Sequence, residues 1–505
     1  MTALEPSSPT EVDVAIVGAG FAGLGMATHL ARRGRESFVV LERADAVGGT
    51  WRDNVYPGIA CDIPAHLYSF SFRPPRDWSS LYPSGAEIRD YLEQTVTDEG
   101  LAPHILFGRA LEGAHWDADD ARWVITTTVD ASRAGADRVT GDVAHPIRAR
   151  NLVLAVGRLS EPRIPEIDGL ADFSGEVVHT AAWSDDLRVA GARIGVVGTG
   201  ASAVQVIPHL ATVADEVVVF SRTPPYVVPR ADRAYSAAER AAMLDPAQAD
   251  DTRNRLLREA DGAFAQRLGL RPDIDMIRKR ASDHLHDQVP DPHLRALLTP
   301  DYEIGCKRIL LSDDFYPALS LPNVTLEPSA LVGVVESKAT ARSGRRYDLD
   351  ILVMATGFEA ARPPAANRVV GRGARRLSDH WSKGMTSYAS TVVTGFPNMF
   401  VLDGPNAALG HNSAIYMIET QLEYVVGALD FMGDGQVRSL EVSAEAEAAY
   451  TREIDERSAS TVWMTGCDSW YVDPESGRLT LLWPGTAESF RARNGNFDPA
   501  AFGVG

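Results

Sequence analysis

The sequence predicts an α/β protein in which one parallel-sheet domain is inserted into another, with a helical insertion in the inner one. Three observations carry this reading. A strand, a glycine turn and a helix open the chain, the same pattern recurs from Arg193, and two apolar runs close on glycine where the chain would cross between units. The 505 residues exceed what one hydrophobic core usually serves.

The first element is the apolar run Asp13 to Val17, followed by Gly18-Ala19-Gly20-Phe21-Ala22-Gly23 and a helix from Leu24 to Arg33. The first two glycines permit a tight turn and close approach of a pyrophosphate. The third lets the helix pack against the strand, and the helix N-terminus offers unpaired N–H donors. A second strand, Phe38 to Leu41, delivers Glu42, the carboxylate expected on a ribose hydroxyl pair. Together these spell a Rossmann-like dinucleotide site rather than an isolated glycine turn.

The second copy reads Arg193 to Val197, then Gly198-Thr199-Gly200-Ala201-Ser202-Ala203, a helix to about Leu210, and a strand Glu216 to Phe220. Ser221 falls where Glu42 falls in the first copy, and Arg222 follows it. An acid there would repel a 2′-phosphate, whereas serine and arginine bind and neutralise one, so this site is expected to take NADPH. Two dinucleotide sites in one chain point to hydride transfer from a nicotinamide to a flavin, with FAD on the first site.

Asn151 to Val156 ends in Gly157, and Leu349 to Ala355 ends in Thr356-Gly357, the expected crossings between the units. The expected division is therefore 1–157 and 349–505 for FAD, 158–225 and 305–348 for NADP, and a helical insertion at 226–304. Within that insertion, Tyr235 to Leu298 predicts two or three helices, whose apolar faces serve core or pocket. A later strand, Phe396 to Leu402, leads into Asp403-Gly404-Pro405-Asn406 and a helix around Ser413 to Leu429. Asp403 has two open readings, a contact to the ribityl or phosphate part of a flavin or a cap on the turn. Segments near Tyr388 and from Ile415 to Ile418 are candidate apolar lining, with core packing the commoner duty of such residues.

Composition narrows the partners. With 45% hydrophobic residues, 23% charged residues and a net charge of −19, neither nucleic acid nor an anionic membrane is the expected partner. No apolar run approaches the roughly 20 residues of a membrane helix, and the start lacks the features of a leader, so residues 1–10 read as a loose tail. Cys61, Cys306 and Cys467 are odd in number and far apart, which predicts reduced thiols and a cytoplasmic protein. No metal site is expected.

Beyond these local readings, the chain resembles the class B flavin-dependent monooxygenases, and the Baeyer–Villiger monooxygenases in particular. Their pattern G-G-x-W-x-x-x-x-Y-P-G-x-x-x-D is met by Gly48, Gly49, Trp51, Tyr56, Pro57, Gly58 and Asp62. Their fingerprint F-x-G-x-x-x-H-x-x-x-W is met by Phe173, Gly175, His179 and Trp183, although Ser184 follows where the family has Pro or Asp. Further similarity lies in Gly305 to Arg308, Ala355 to Gly357, Gly404 to Asn406 and Gly410 to Ser413, so the resemblance spans nearly the whole chain. It is least distinct from Pro225 to Tyr302.

The resemblance implies oxygen insertion beside a ketone carbonyl, with O2, through a C4a-peroxyflavin. Arg308 would stabilise the developing negative charge, and Asp62 would orient that arginine. Arg43, Thr50, Trp51, Asp62 and Tyr68 join the glycines and Glu42 as FAD contacts. Ser202, Arg222, Thr223 and Lys307 join the second glycine turn in holding NADPH, Lys307 with Arg222 and Thr223 on the 2′-phosphate. His179 is assigned a structural or gating role, and Trp470 either approaches the nicotinamide ribose or substrate or packs in the core. Oxygenation of nitrogen or sulfur is the alternative activity, and a noncatalytic flavin module is the alternative class. A flavin disulfide reductase is disfavoured because no close cysteine pair is present. The assembly is expected to be a monomer or homodimer.

Overall fold

The computed structural model describes residues 10–73, 77–129 and 146–505, so the tail expected at residues 1–10 lies almost wholly outside the described residues. Two sheets organise the fold. In the first, of eight strands, Thr10–Val17 lies between Phe38–Leu41 and Ile147–Leu154, all parallel, with Val17 opposite both Leu41 and Leu154. The antiparallel strand Arg122–Val129 pairs only with the start of Ile147–Leu154, which leaves its end for Met399–Val401. This late strand returns the distant 399–413 segment to the glycine turn.

The second sheet has five parallel strands in the order Val324–Glu327, Glu216–Phe220, Arg193–Val197, Ile351–Met354 and Glu176–His179. Its central strands are buried on both faces, which explains their continuous Val and Ile content rather than an alternating pattern. Both sheets place the glycine turn at the carboxyl end of a strand flanked by two parallel partners, where open α/β sheets bind ligands.

The internal repeat extends to single atoms. Ala155 N–H donates to Val17 O at 2.9 Å in the first sheet, and Ala355 N–H donates to Val197 O at 3.0 Å in the second. Gly18 and Gly198 adopt φ of 105° and 113°, and a Cβ on either would lie 2.5 Å from the carbonyl oxygen of Ala155 or Ala355. Only glycine satisfies both conditions. At the third position the copies diverge, because a Cβ on Gly23 would lie 1.8 Å from Gly18 O, whereas the second copy accommodates a fully buried Ala203.

Element positions agree with the sequence reading at Phe38–Leu41, Arg193–Val197 and Glu216–Phe220, and shift by a few residues elsewhere, the first helix being Phe21–Arg32. The helical insertion differs more. Five helices, Ala237–Met243, Pro246–Gly262, Phe264–Arg267, Asp273–Gln288 and Pro292–Leu297, replace the two or three expected. Asp245 and Asp291 each cap a new helix that starts on proline, and Pro272 precedes another, so the chain is cut where periodicity alone reads through. No described helix is long and apolar enough to cross a membrane.

Candidate functional site

The two glycine turns fit dinucleotides. No side chain caps either helix, at Gly20 or at Gly200, so the first-turn N–H groups face outward, and Gly200 meets nothing within 4 Å in the direction of a Cβ. Glu42 is buried and fixed. Its carboxylate accepts from Ala19 N–H at 2.9 Å, Ala44 N–H at 2.9 Å and Arg52 at 2.8 Å. Arg52 was not singled out by sequence reasoning, although it lies inside the G-G-x-W pattern. Arg43 is exposed and pairs with Glu161, across the crossing at Gly157, while Thr50 begins the short helix Thr50–Asp53. Trp51 Nε1 donates to Tyr68 Oη at 3.2 Å, and the two rings meet edge to face at 5.5 Å.

The rest of that pattern is an interface with the second sheet's unit. Tyr56 Oη donates to Gln205 Oε1 at 2.9 Å, and Gln205 Nε2 donates to Ala60 O at 2.9 Å. Gly58, at φ 83°, fits because a Cβ there would lie 2.4 Å from His209 Nε2. The segment ends at Asp62, where Arg308 Nε and Nη2 both donate to Oδ2, at 2.9 and 2.6 Å. Asp62 holds the Arg308 guanidinium well above its ordinary pKa, against the opposing effect of burial. Arg308 keeps 31% of its side chain exposed, so this locked cation still presents a face to a ligand.

Beside it, Lys307 Nζ lies 4.7 Å over the Tyr302 ring. Burial, followed by the nearby Arg222 charge, holds the Lys307 ammonium below its usual pKa. Lys307 and Arg222 are thus close enough for their charges to oppose one another. Thr223 lies alongside, its carbonyl accepting from the Thr199 hydroxyl at 3.0 Å, while Ser202 sits in the first turn of the Ala201–Val213 helix.

The fingerprint residues form a joint. Phe173 is buried, and a Cβ on Gly175 would lie 2.2 Å from Asp350 O and 2.6 Å from the Phe173 ring. His179 ends its strand with both ring nitrogens engaged, Nδ1 accepting from Ala181 N–H and Nε2 donating to Gly357 O, each at 3.1 Å. Desolvation holds its pKa below that of an ordinary histidine, against the opposing hydrogen bond to Gly357. Since Gly357 lies at the second crossing, His179 ties the end of its strand to that crossing. Trp183 packs against the core of the second unit.

Asp403 pairs with Arg158, a residue that sequence reasoning missed just after the Gly157 crossing, and burial raises the Asp403 pKa despite that cation. Trp470 is 47% exposed and its ring meets that of Tyr471 at a 38° tilt, centroids 4.5 Å apart, which argues against the core-packing reading.

One expectation is overturned. Cys306 and Cys467 form a disulfide, leaving Cys61 as the free, buried cysteine. The two half-cystines are 161 positions apart, and only the fold brings the Gly305–Arg308 segment against the loop leading to Trp470. Cys306 adjoins the Lys307–Arg308 pair, so the bond ties both cations to that loop, which Ser469 also joins by donating to Cys306 O at 3.1 Å. Denatured without reductant, the protein is expected to titrate one thiol, and after reduction three; three at the outset would show the bond is absent.

Comparison with known proteins follows the same lines. Residues 12–245 match the pyridine nucleotide-disulphide oxidoreductase family. A Baeyer-Villiger monooxygenase of Streptomyces coelicolor is 42% identical over 496 residues, covering 98% of this chain and 92% of the relative. Another from Pseudomonas aeruginosa is 38% identical over 98% of this chain and 92% of its own. The crystal structure of cyclohexanone monooxygenase from Rhodococcus sp. Phi1 bound to NADP+ superposes with a TM-score of 0.85 at 28% identity, over 98% of this chain and 99% of that one. Full-length identity at this level, on a fold that supplies two dinucleotide turns, establishes that the chain belongs to the Baeyer–Villiger monooxygenases, flavoenzymes that use FAD and NADPH.

Proposed function

We propose that the Asp62–Arg308 pair is the oxygen-insertion centre of this monooxygenase, acting on a ketone with O2 and NADPH to give an ester or lactone. The observation that carries it is the two-point contact of Arg308 on Asp62 across the junction of the two units. FAD, when bound, supplies hydride acceptance from NADPH and reaction of the reduced ring with O2. The residues of the chain supply the rest. Asp62 fixes the guanidinium plane, and Arg308 offers its remaining N–H donors where negative charge develops as oxygen adds to the carbonyl. A fixed cation favours a nucleophilic oxygen attacking a ketone, whereas nitrogen or sulfur oxygenation gains nothing from it.

FAD is assigned to residues 1–157 and 349–505, with the Gly18, Gly20 and Gly23 turn on the pyrophosphate and Glu42 on the ribose. Arg43, Thr50, Trp51, Tyr68 and Asp403 complete that site, Asp403 acting through its pair with Arg158. NADPH is assigned to residues 158–225 and 305–348, with Gly198, Gly200 and Ser202 near the pyrophosphate and Arg222, Thr223 and Lys307 on the 2′-phosphate. Trp470 is assigned to the nicotinamide ribose or substrate, a role that its exposure beside Tyr471 supports. His179 positions the two units, since both its nitrogens are already engaged.

Lys307 gives a pH prediction. Its depressed pKa means that the free enzyme loses this charge earlier than an ordinary lysine as pH rises, while a bound 2′-phosphate favours the charged form. The KM for NADPH is therefore expected to climb at alkaline pH, and Lys307→Arg to flatten that climb. A climb equal in both proteins would remove Lys307 from the phosphate site.

The function itself is tested by mixing NADPH-reduced enzyme with O2 and a ketone panel, then a sulfide panel, with products read by mass spectrometry. Ester from ketones is the expected result. Oxygenation of sulfides alone would transfer the enzyme to heteroatom chemistry.

A further inference from the structure

A second arginine lies beside the proposed oxygen-insertion centre and has no partner for its charge. Arg267 ends the short Phe264–Arg267 helix of the helical insertion and is 5% exposed. Its guanidinium sits between the Gly305–Arg308 segment and the turn after Asp403. A Cβ on Gly305 would lie 2.7 Å from Nη1, and Nη2 donates to Gly410 O at 3.3 Å. Nη1 is buried with no hydrogen-bond acceptor among the described residues.

The surrounding charges make this unusual. The Tyr471 phenol lies within electrostatic reach of Arg308, Arg267 and Arg158. Arg308 is paired with Asp62 and Arg158 with Asp403, whereas Arg267 makes no ion pair among the described residues; burial acts against its charge most, the Tyr471 phenol favours it, and Arg308 opposes it. Asp261, on the preceding helix, is engaged by His411 at 3.5 Å, Asn412 at 2.8 Å and the N–H groups of Ala487 and Glu488 at 2.8 and 3.0 Å. Three guanidinium groups thus share two carboxylates around one phenol. A buried, uncompensated cation is costly to keep, and a ligand anion is what relieves it. The 2′-phosphate already has Arg222 and Lys307, and the pyrophosphate has the glycine turn. The remaining molecule that enters is the substrate.

We propose that Arg267 binds a carboxylate on the substrate, so that the preferred ketone is an oxo acid. This rests on the ketone-oxidising reading of the Asp62–Arg308 centre and names its substrate class. A planar guanidinium suits a carboxylate, which it can hold by two parallel N–H donors while Arg308 acts at the ketone.

The test pairs methyl ketones bearing a terminal carboxylate, over a range of chain lengths, with their uncharged methyl esters. The readout is the ratio of kcat/KM for acid over ester, with product detected as the gain of one oxygen atom. At one chain length or more, the wild type is expected to favour the acid by about 30-fold, the lower end for a buried charge pair. Arg267→Leu should erase that ratio and Arg267→Lys should retain part of it, with FAD content unchanged in both. A simple carboxylic acid of the same length, lacking the ketone, should inhibit the wild type competitively and Arg267→Leu about tenfold less well. An acid-to-ester ratio near one in the wild type, or one unaltered in Arg267→Leu, overturns the proposal. So does a raised KM for NADPH in Arg267→Leu with the ratio intact, which would place Arg267 on the cofactor. Oxidation of no ketone, charged or uncharged, would overturn the ketone reading itself, whereas oxidation of esters without preference for acids overturns only the role of Arg267.

Discussion

Arg308→Ala is expected to bind FAD and accept hydride from NADPH, yet to form ester at least about 10³-fold more slowly than the wild type. The separation follows from position. Arg308 donates its hydrogen bonds to Asp62 rather than to either glycine turn, so losing it leaves both dinucleotide cradles in place. What disappears is the cation facing the charge that develops at the ketone. O2 consumption should persist, with hydrogen peroxide replacing ester, measured by flavin absorbance after rapid mixing and by product mass. Asp62 would also be left without its cation, so Arg308→Lys is the sharper companion. It restores charge but not the planar two-point contact, and should recover little ester. Ester formation at wild-type rate in either variant would remove Arg308 from the chemistry.

The second large effect is on cofactor choice. Arg222→Ala combined with Lys307→Ala should lower the preference for NADPH over NADH by about 10²-fold, because each removes a charge-assisted contact to the 2′-phosphate that NADH lacks. The two cations come from separate segments of the chain yet lie close enough that Arg222 helps to depress the Lys307 pKa. KM for NADH should stay within a few-fold, and ester formation at saturating NADPH should be kept. An unchanged preference in the double variant would remove the 2′-phosphate role from both residues.

The disulfide places Lys307, Arg308 and the loop before Trp470 on one covalent unit. Substitution of either cysteine is therefore expected to act first on the Trp470 loop, and to cost up to about 5 kcal/mol of stability through the long loop it releases.

The sequence alone determined what repeats and what is locally encoded. Gly18 and Gly198 were legible because a positive φ with no room for a Cβ leaves glycine as the sole solution, and a strand, a turn and a helix must surround it. Ser221 and Arg222, standing where the first copy has Glu42, were legible as a difference in charge at an equivalent place. Asp62 and Arg308 could be named from separate motifs, but only the tertiary structure set them 2.6 Å apart, since 246 positions separate them in the chain. Separations of 245, 143 and 161 positions likewise hid Arg158 beside Asp403, Arg267 against Gly410, and the Cys306–Cys467 bond, none of which belongs to a spacing pattern. Local sequence specifies backbone conformation through short-range sterics. Which buried charge finds a partner, and which is left without one, is decided when the two units and the helical insertion close on one another.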